Sequence, residues 1–329
     1  MATYKEIKGT NIEVVSSDPS NPLLGQVWYN TTSNTLKAFG VQAAAWSSGG
    51  NLSQPIAYMG SAGTQTAGLS FGGYTPATGT SVTATEEYNG SSWSAGGNLT
   101  TSRYGLGGAG TQTAGLAFGG NTLPGSTTQN ATEEYNGSSW TNGGNLGNAT
   151  YQVAGLGLQT AGLACGGNVS GSEVASTEEY DGSSWTAGGN LNSSGKYIGA
   201  TGIQTAGLAF GGDTRDTATE EYNGSSWTNS SNMPVGRDKG PGAAGTQTAG
   251  LAFGGETPAP EGETDASTLL YDGSSWTATT SMNLGVIRTG GTGTQAAALN
   301  FGGVGAGSYQ NQTQEFDLGG PAILTLDGG

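Results

Sequence analysis

The chain has 329 residues, of which 63 are glycine, 24 are acidic and 9 are basic, and it contains no histidine. The formal net charge of −15 argues against nucleic acid or an anionic membrane as a partner, because both attract clustered Lys and Arg. The absence of histidine removes Ser-His-Asp and Cys-His catalytic sets and His-ligated zinc or copper, so we expect no enzyme, no cofactor and no metal centre.

The first part of the chain predicts a polar leader over residues 1–25, which we interpret as an attachment segment. It lacks an apolar core of the signal-peptide type, and no run of 18 apolar residues occurs in the sequence, so we expect no secretion signal and no membrane insertion. A hairpin is predicted over residues 26–39, with strands at Gln26–Tyr29 and Thr35–Phe39.

One repeated unit occupies the chain from about residue 46 to residue 318, and we assign residues 26–329 as a whole to one domain. A Phe-Gly-Gly or a near variant of it ends at Gly73, Gly120, Gly167, Gly212, Gly255 and Gly303. The interval is 43 to 48 residues. Because a unit of this size cannot bury its own apolar face, its neighbours must stack against it.

Each unit is predicted to contain four strands. In the second copy we place them at Tyr104–Ala109, Thr113–Phe118 and Ala131–Tyr135, and the fourth begins at Ser139-Trp140. The second strand alternates Leu and Phe with Gly and Ala, which is the pattern required by sheets that pack closely face to face. The glycine density leaves no helical pattern, so the predicted fold class is all-β.

A dipeptide of Asn-Gly or Asp-Gly separates the third and fourth strands at Asn89, Asn136, Asp181, Asn223 and Asp272. These dipeptides are typical of two-residue type I′ hairpin turns, and we predict such turns here. Asn-Gly-Ser is also a glycosylation sequon, but the two Asp copies keep the turn and destroy the sequon, which favours the turn.

The Gly-Gly pair, the Tyr of the third strand and a Trp five residues later resemble the kelch repeat. The structural tryptophans are Trp46, Trp93, Trp140, Trp185, Trp227 and Trp276. The resemblance covers about residues 46–318 and implies a β-propeller of six four-stranded antiparallel blades. The sixth unit has Phe316 in place of Tyr and lacks the following Trp, so we expect the strand around Trp46 to close the ring. A seventh blade, built from residues 26–46 and a last short strand at Ala322–Leu326, is the alternative.

Sequence variation is concentrated in the segments that join strands 2–3 and 4–1, which leave one face of a propeller. We therefore expect ligand binding on this face. The candidate residues are Tyr74, Arg103, Tyr104, Tyr151, Tyr197, Asp213, Arg215, Asp216, Arg237, Asp238, Arg288 and Tyr309. Calcium is a weaker alternative for the acidic loop residues Asp213, Asp216, Glu261, Glu263 and Asp265, whose spacing fits no calcium loop.

Paired glutamates precede the Tyr in four units, at Glu86-Glu87, Glu133-Glu134, Glu178-Glu179 and Glu220-Glu221. Adjacent strand residues point to opposite faces, so a pair cannot act as one acid–base couple. The fifth unit has Leu269-Leu270 at the same place, which indicates a structural role. We expect one Glu per unit to meet a backbone N–H or a cation, with Arg103, Lys196, Arg237 and Arg288 as the candidate cations.

The only cysteine, Cys165, replaces the Phe of Phe-Gly-Gly in the third unit. A small buried hydrophobic side chain is the interpretation that this position favours over a reactive thiol.

The units resemble kelch-like arrays in tail or other virion proteins of marine bacteriophages, and GQVWYNTTSNTLK resembles segments of phage structural proteins. This resemblance implies a non-catalytic virion protein, in or near a tail fibre, made in the host cytoplasm. Its partners would be other virion proteins, copies of itself, or a glycan or protein of the host surface. The alternatives are a lectin-like or protein-binding propeller of cellular origin and, third, a glycosidase-like enzyme.

Overall fold

A computed structural model of the chain describes residues 12–257 and 263–326. These residues form strands, turns and loops but no helix, so the all-β prediction is confirmed. None of the described segments is therefore a helix that could cross a bilayer.

The first eighteen strands are β1 Glu13–Val15, β2 Val27–Asn30, β3 Thr35–Gln42, β4 Ala45–Ser48, β5 Gly60–Thr64, β6 Ala67–Phe71, β7 Tyr74–Thr75, β8 Thr80–Ser81, β9 Thr85–Tyr88, β10 Trp93–Ala95, β11 Gly107–Thr111, β12 Ala114–Phe118, β13 Asn121–Thr122, β14 Thr127–Thr128, β15 Thr132–Tyr135, β16 Trp140–Asn142, β17 Ala154–Leu158 and β18 Ala161–Cys165. The remaining strands are β19 Asn168–Val169, β20 Ser172–Glu173, β21 Thr177–Tyr180, β22 Trp185–Ala187, β23 Gly199–Ile203, β24 Ala206–Phe210, β25 Thr219–Tyr222, β26 Trp227–Asn229, β27 Gly242–Thr246, β28 Ala249–Phe253, β29 Thr268–Tyr271, β30 Trp276–Thr279, β31 Gly290–Gly293, β32 Ala297–Phe301, β33 Val304–Gly305, β34 Ser308–Tyr309, β35 Thr313–Asp317 and β36 Gly320–Thr325.

Contacts divide the described residues into a terminal unit, 12–45 with 318–326, and a repeat unit within Trp46–Asp317. The terminal unit contains one sheet in the order β1-β2-β3-β36. The predicted hairpin is present as β2 and β3, and β36 pairs antiparallel with β3. Strand β1 lies within the segment that we predicted as a leader and pairs parallel with β2.

Asp18 ties the terminal sheet together from the loop that follows β1. Its carboxylate accepts hydrogen bonds from Trp28 Nε1 at 3.0 Å, Asn30 Nδ2 at 2.7 Å and Lys37 Nζ at 2.7 Å. These three bonds, that of Lys37 first, lower the pKa of Asp18 to about 2.

The repeat unit contains six four-stranded sheets, one for each Gly-Gly motif. Five of them follow chain order, in the pattern β11-β12-β15-β16 of the second sheet, and they are antiparallel throughout. The sixth has the order β31-β32-β35-β4, so its fourth strand comes from the segment around Trp46 that precedes the first repeat. The sequence pattern therefore assigned this strand to the correct sheet.

Small residues let neighbouring sheets approach closely. The side chain of Leu69 in the first sheet lies where Gly115 of the second sheet has no Cβ; an added Cβ there would lie 2.7 Å from Leu69 Cδ2. Leu116 meets Gly162 of the third sheet in the same way, also at 2.7 Å. The alternation of large and small residues that the sequence indicates is thus used on both faces of each sheet.

Polar side chains also join one sheet to the next. Each structural Trp donates its indole N–H to a Thr hydroxyl of the preceding sheet, as Trp140 does to Thr85 at 2.9 Å. The same bond joins Trp93 of the first sheet to Thr313 of the sixth, and Trp46 of the sixth to Thr268 of the fifth.

The Gln of each Thr-Gln turn, or of the equivalent Leu-Gln and Ile-Gln turns, bridges two strands of the preceding sheet. Gln112 Nε2 donates to the carbonyl of Gly68 at 3.0 Å and to that of Tyr88 at 2.6 Å. Gln65 in the first sheet makes the same two bonds to Ala298 and Phe316 of the sixth. The Gln recurs in all six repeats, but its role as a bridge was not predicted from the sequence.

The predicted two-residue turn between the third and fourth strands is wrong. Tyr135 pairs with Trp140, so four residues, Asn-Gly-Ser-Ser, form the loop, and only the glycine has a positive φ. The Asn136 side chain instead accepts the backbone N–H groups of Ser138 at 3.0 Å and Ser139 at 2.9 Å. An Asx turn of this kind needs a short side-chain oxygen, which explains why both Asn and Asp occur there.

The structural role of the paired glutamates is confirmed. The first Glu of each pair accepts a backbone N–H from the segment that precedes the first strand of its own sheet, as Glu133 does from Thr100 at 2.7 Å. The second accepts the Tyr hydroxyl of the next sheet, as Glu87 does from Tyr135 at 2.6 Å.

The candidate cations for these glutamates were mostly wrong. Arg103 contacts Glu133 at 2.7 Å, but the other cationic partner is Arg215, which contacts Glu220 at 2.8 Å. Lys196 and Arg237 pair with loop carboxylates instead, and Arg288 stacks on tyrosines.

Candidate functional site

A cavity of about 250 Å³ runs along the first strands of the six sheets. Its lining is rich in glycine because these strands read Gly-x-x-Gly or a near variant, as in β11 and β23. Glycine projects no side chain into the space, so the backbone and a few hydroxyl groups form most of the wall.

A set of six residues with left-handed backbone lines one mouth of this cavity. The equivalent position in each of the six repeats has a φ between 56° and 63°. The six residues are Tyr58, Gly105, Gln152, Tyr197, Gly240 and Arg288. Five backbone hydrogen bonds link the six in series from Gly240 to Tyr197: Tyr58 donates its N–H to the Arg288 carbonyl at 3.0 Å, for example, and Gly105 donates to Tyr58 at 2.8 Å.

Four of these six positions carry large side chains, although glycine would adopt the left-handed backbone conformation with the least strain. A residue with a side chain is strained in the left-handed region by about 1–2 kcal/mol, and two of the six repeats avoid this cost with Gly105 and Gly240. The other four carry Tyr, Gln, Tyr and Arg. Strain of this kind is concentrated at functional sites, so the four side chains mark the mouth as the candidate site.

Tyrosines from several repeats form a cluster at this mouth. The centroid of the Tyr58 ring lies 5.8 Å from that of Tyr104 and 6.2 Å from that of Tyr197. Tyr74 extends the cluster, at 6.4 Å from Tyr104 and 5.4 Å from Tyr309. Burial, and to a lesser extent the interaction with neighbouring Tyr197, raises the pKa of Tyr58, so its hydroxyl stays protonated.

Arg288 lies against the same cluster. Its guanidinium carbon is 4.8 Å from the centroid of the Tyr58 ring and 5.8 Å from that of Tyr197. Tyr197 also accepts a hydrogen bond from Gln152 Nε2. Because Tyr58 and Tyr197 belong to the first and fourth repeats, their side chains meet across the mouth.

The structure brings half of the predicted binding-face residues together here. Six of the twelve lie at this mouth or beside it: Tyr74, Tyr104, Tyr151, Tyr197, Arg288 and Tyr309. Tyr58 joins them although it was not among the predicted binding residues. The sequence does contain a signal for it, since Tyr58-Met59-Gly60 aligns with Tyr197-Ile198-Gly199.

Three predicted binding residues, Arg103, Arg215 and Arg237, are buried in the interior. They pair with Glu133, Glu220 and Asp265 respectively, and burial lowers the pKa of each guanidinium. Their charges are used inside the protein, so the structure removes them from the candidate binding surface. Each arginine reaches a carboxylate of its own repeat, and burial of the two as an ion pair explains the error.

Two aspartates of the predicted face, Asp213 and Asp216, lie in the loop between β24 and β25, and the third, Asp238, lies between β26 and β27. Asp213 pairs with Lys196 at 2.8 Å. Burial, followed by a hydrogen bond with Asp216, raises the pKa of Asp238 to about 6. Within residues 12–257 and 263–326, no three acidic side chains come close enough to hold a metal ion, and Glu261 of the calcium alternative lies outside these ranges.

Short hairpins in the strand 2–3 loops border the mouth, and the sequence analysis did not predict them. They are β7–β8, β13–β14, β19–β20 and β33–β34. The first residue of each hairpin forms an antiparallel β-bridge with the residue that precedes the left-handed position, as Asn121 does with Tyr104. This pairing fixes the loop residues beside the cluster.

No protein-family model matches the sequence, and no curated protein matches it either.

Proposed function

We propose that this protein is a non-catalytic binding protein whose repeats form a closed six-bladed, kelch-like β-propeller. The tyrosine cluster at one mouth of its central cavity would be the surface that binds. The observation that carries the proposal is the convergence of Tyr58, Tyr104, Tyr197 and Arg288 on that mouth, two of the tyrosines and the arginine on strained backbone.

Contacts between the first and sixth sheets support ring closure. Ser61 Oγ donates to the Gly291 carbonyl at 3.0 Å, and Thr292 Oγ1 donates to the Gly63 carbonyl at 2.5 Å. The Gln65 and Trp93 bonds to the sixth sheet repeat what every other sheet makes with its predecessor. Since β31 lies beside β5 with no sheet between them, six blades are favoured over seven.

We place this binding protein in a phage particle, in or near a tail fibre, with a host-surface glycan or protein or a neighbouring subunit as its partner. This part of the proposal rests on the sequence resemblance to virion kelch-like arrays alone. Tyrosine-lined mouths suit a sugar or a protein loop, because Tyr offers an apolar ring and a hydroxyl together.

Binding of the purified full chain to a glycan array and to candidate host cells tests the binding role. We expect Tyr74→Ala and Tyr104→Ala to weaken binding by about tenfold or more, as loss of a central aromatic contact does. Leu158→Ala is the matched control, because Leu158 is 50% exposed on the turn at the opposite end of the strands. Equal losses in all three variants would contradict the proposal, and no binding to any glycan or cell would contradict a host-surface partner.

A further inference from the structure

We infer that the mouth of the central cavity binds a small hydroxylated carboxylate, a sugar acid in size and chemistry, through Arg288. The inference rests on the proposed binding function and adds a ligand class to it.

Arg288 is the one basic residue of the described chain that no carboxylate neutralises. Seven Lys and Arg residues lie in the described ranges, and six of them form ion pairs at 4.0 Å or less: Lys37, Arg103, Lys196, Arg215, Arg237 and Lys239. In a protein with a net charge of −15, an uncompensated guanidinium needs a reason.

The cavity offers this positive charge and no negative charge. Arg288 is the only charged residue in its lining, which otherwise consists of small, aliphatic, hydroxylated and aromatic residues and Gln152. An anion that enters therefore meets Arg288 without repulsion from a neighbouring carboxylate in the wall. The acidic loop residues Asp213, Asp238 and Glu256 do not line the cavity.

Stacking fixes the guanidinium in a useful orientation. Tyr58 and Tyr197 lie against its carbon at 4.8 and 5.8 Å, and Arg288 Nε is buried without a hydrogen-bond acceptor among the described residues. The guanidinium edge presents a planar fork of N–H donors, and that fork matches a carboxylate better than any other common ligand group except phosphate. Nothing in the wall besides Arg288 carries a second positive charge, which favours the singly charged carboxylate.

The rest of the site favours hydroxyl groups on the ligand. The hydroxyl groups of Ser61, Thr201 and Thr292 lie in the wall of the cavity and can accept a hydrogen bond from a ligand hydroxyl. At about 250 Å³ the cavity falls just below the roughly 300–1,000 Å³ of pockets that hold drug-sized ligands, which favours a small ligand such as a single sugar.

The test uses two probes that differ mainly in the carboxylate, D-glucuronate and D-glucose, at equal ionic strength. We expect calorimetric titration of the full chain to give a Kd for glucuronate at least about tenfold below that for glucose, since hydrogen bonds to charged groups are worth at least this factor. Arg288→Gln should remove this preference. Lys239→Gln is the matched control: it loses the same charge from the same end of the repeat unit, but Lys239 is paired with Glu256 and does not line the cavity.

An NMR titration of the wild-type protein decides the question if Arg288→Gln fails to fold. Glucuronate should shift the Nε–H resonance of Arg288, and glucose should leave it in place. Equal binding of the two probes, unchanged glucuronate binding in Arg288→Gln, or an unmoved Arg288 resonance at millimolar glucuronate would overturn the inference. Glycan-array binding that depends on Tyr74 and Tyr104 without any glucuronate response would overturn the inference alone and leave the proposed function standing.

Discussion

The third sheet differs from the other five at two paired residues. In those five, a glycine of the first strand faces the Phe of Phe-Gly-Gly, as Gly107 faces Phe118. A Cβ added to any of these glycines would lie 2.0–2.4 Å from the Phe ring. The third sheet instead pairs Ala154 with Cys165, so a methyl group is added on one strand where an aromatic ring is lost on the other.

This compensation predicts the cost of restoring the common residue. Cys165→Phe should lower the free energy of unfolding by about 1–3 kcal/mol, because the ring would overlap the Ala154 methyl group. The double variant Ala154→Gly with Cys165→Phe should recover most of the loss. Urea titration followed by tryptophan fluorescence measures both. A neutral Cys165→Phe variant would show that the two sites are not coupled.

A second compensation occurs at the fifth and sixth sheets. Elsewhere the second Glu of each pair, or Glu315 in the sixth sheet, accepts a Tyr hydroxyl of the following sheet. The fifth sheet has Leu270 at the Glu position, and the sixth has Phe316 at the Tyr position. Acceptor and donor are lost together, which avoids the penalty of a lone buried polar group.

At the scale of the element, the Gln bridge is the contact that every sheet makes in the same way. Two hydrogen bonds of about 0.5–1.5 kcal/mol each suggest a total contribution of about 1–3 kcal/mol per bridge. In a linear array the first sheet has no predecessor. In the closed propeller that we propose, its Gln65 bridge to the sixth sheet should matter as much as any other.

Comparison of Gln65→Ala with Gln112→Ala therefore tests closure. We expect both variants to lose about 1–3 kcal/mol in urea titrations, because each loses two bonds to the preceding sheet. Gln42→Ala serves as the control, since Gln42 is exposed in the terminal sheet. A Gln65→Ala variant as stable as the wild type would mean that the first and sixth sheets separate at little cost.

The sequence predicted the elements of the repeat unit better than its turns. Strand positions follow from the period and from the alternation of Leu and Phe with Gly and Ala, and β12 begins one residue from its predicted start. The Asn-Gly loops were mispredicted because turn preferences depend on loop length, and the pairing of Tyr135 with Trp140 sets a four-residue loop. The short hairpins in the strand 2–3 loops have no hydrophobic alternation from which they could have been predicted.

For the whole molecule, acid should first stabilise the repeat unit and then destabilise it. The pKa of Asp238 is raised to about 6, so the folded state binds this proton more tightly than the unfolded state, whose pKa is 3.8. Stability therefore rises as the pH falls from 7 towards 4. The pKa values of Asp181 and Asp272 are lowered to about 2 by their Ser183 and Ser274 hydrogen bonds, so stability falls between pH 4 and pH 2.

Thermal melts of two variants separate these effects. Asp238→Asn should remove the rise between pH 7 and pH 4 and raise the Tm at pH 7. Asp181→Asn should weaken only the acid limb, and it should fold because three other repeats have Asn at this turn. A rise between pH 7 and pH 4 that persists in Asp238→Asn would assign it to other carboxylates.

The candidate site could be predicted from the sequence only in part. Variable loops on one face pointed to Tyr74, Tyr104, Tyr197 and Arg288, and the structure brings these four into one cluster. The sequence could not separate them from Arg103, because charge says nothing about burial. Only the packed structure shows that Arg103 is buried in an ion pair with Glu133, whereas Arg288 forms no ion pair with a described carboxylate.

The pairing of β4 with the sixth sheet also affects how the chain folds during its synthesis. During synthesis at about 5–20 residues per second, β4 leaves the ribosome roughly 15–50 s before its partner β35. We expect β4 to wait as a solitary strand, with Trp46 not yet covered by Phe253 and Phe316. Its Ala45-Trp46-Ser47 resembles Ser92-Trp93-Ser94 at the start of β10, so each newly made chain must keep β4 off the edge of the first sheet until the last repeat has been synthesised.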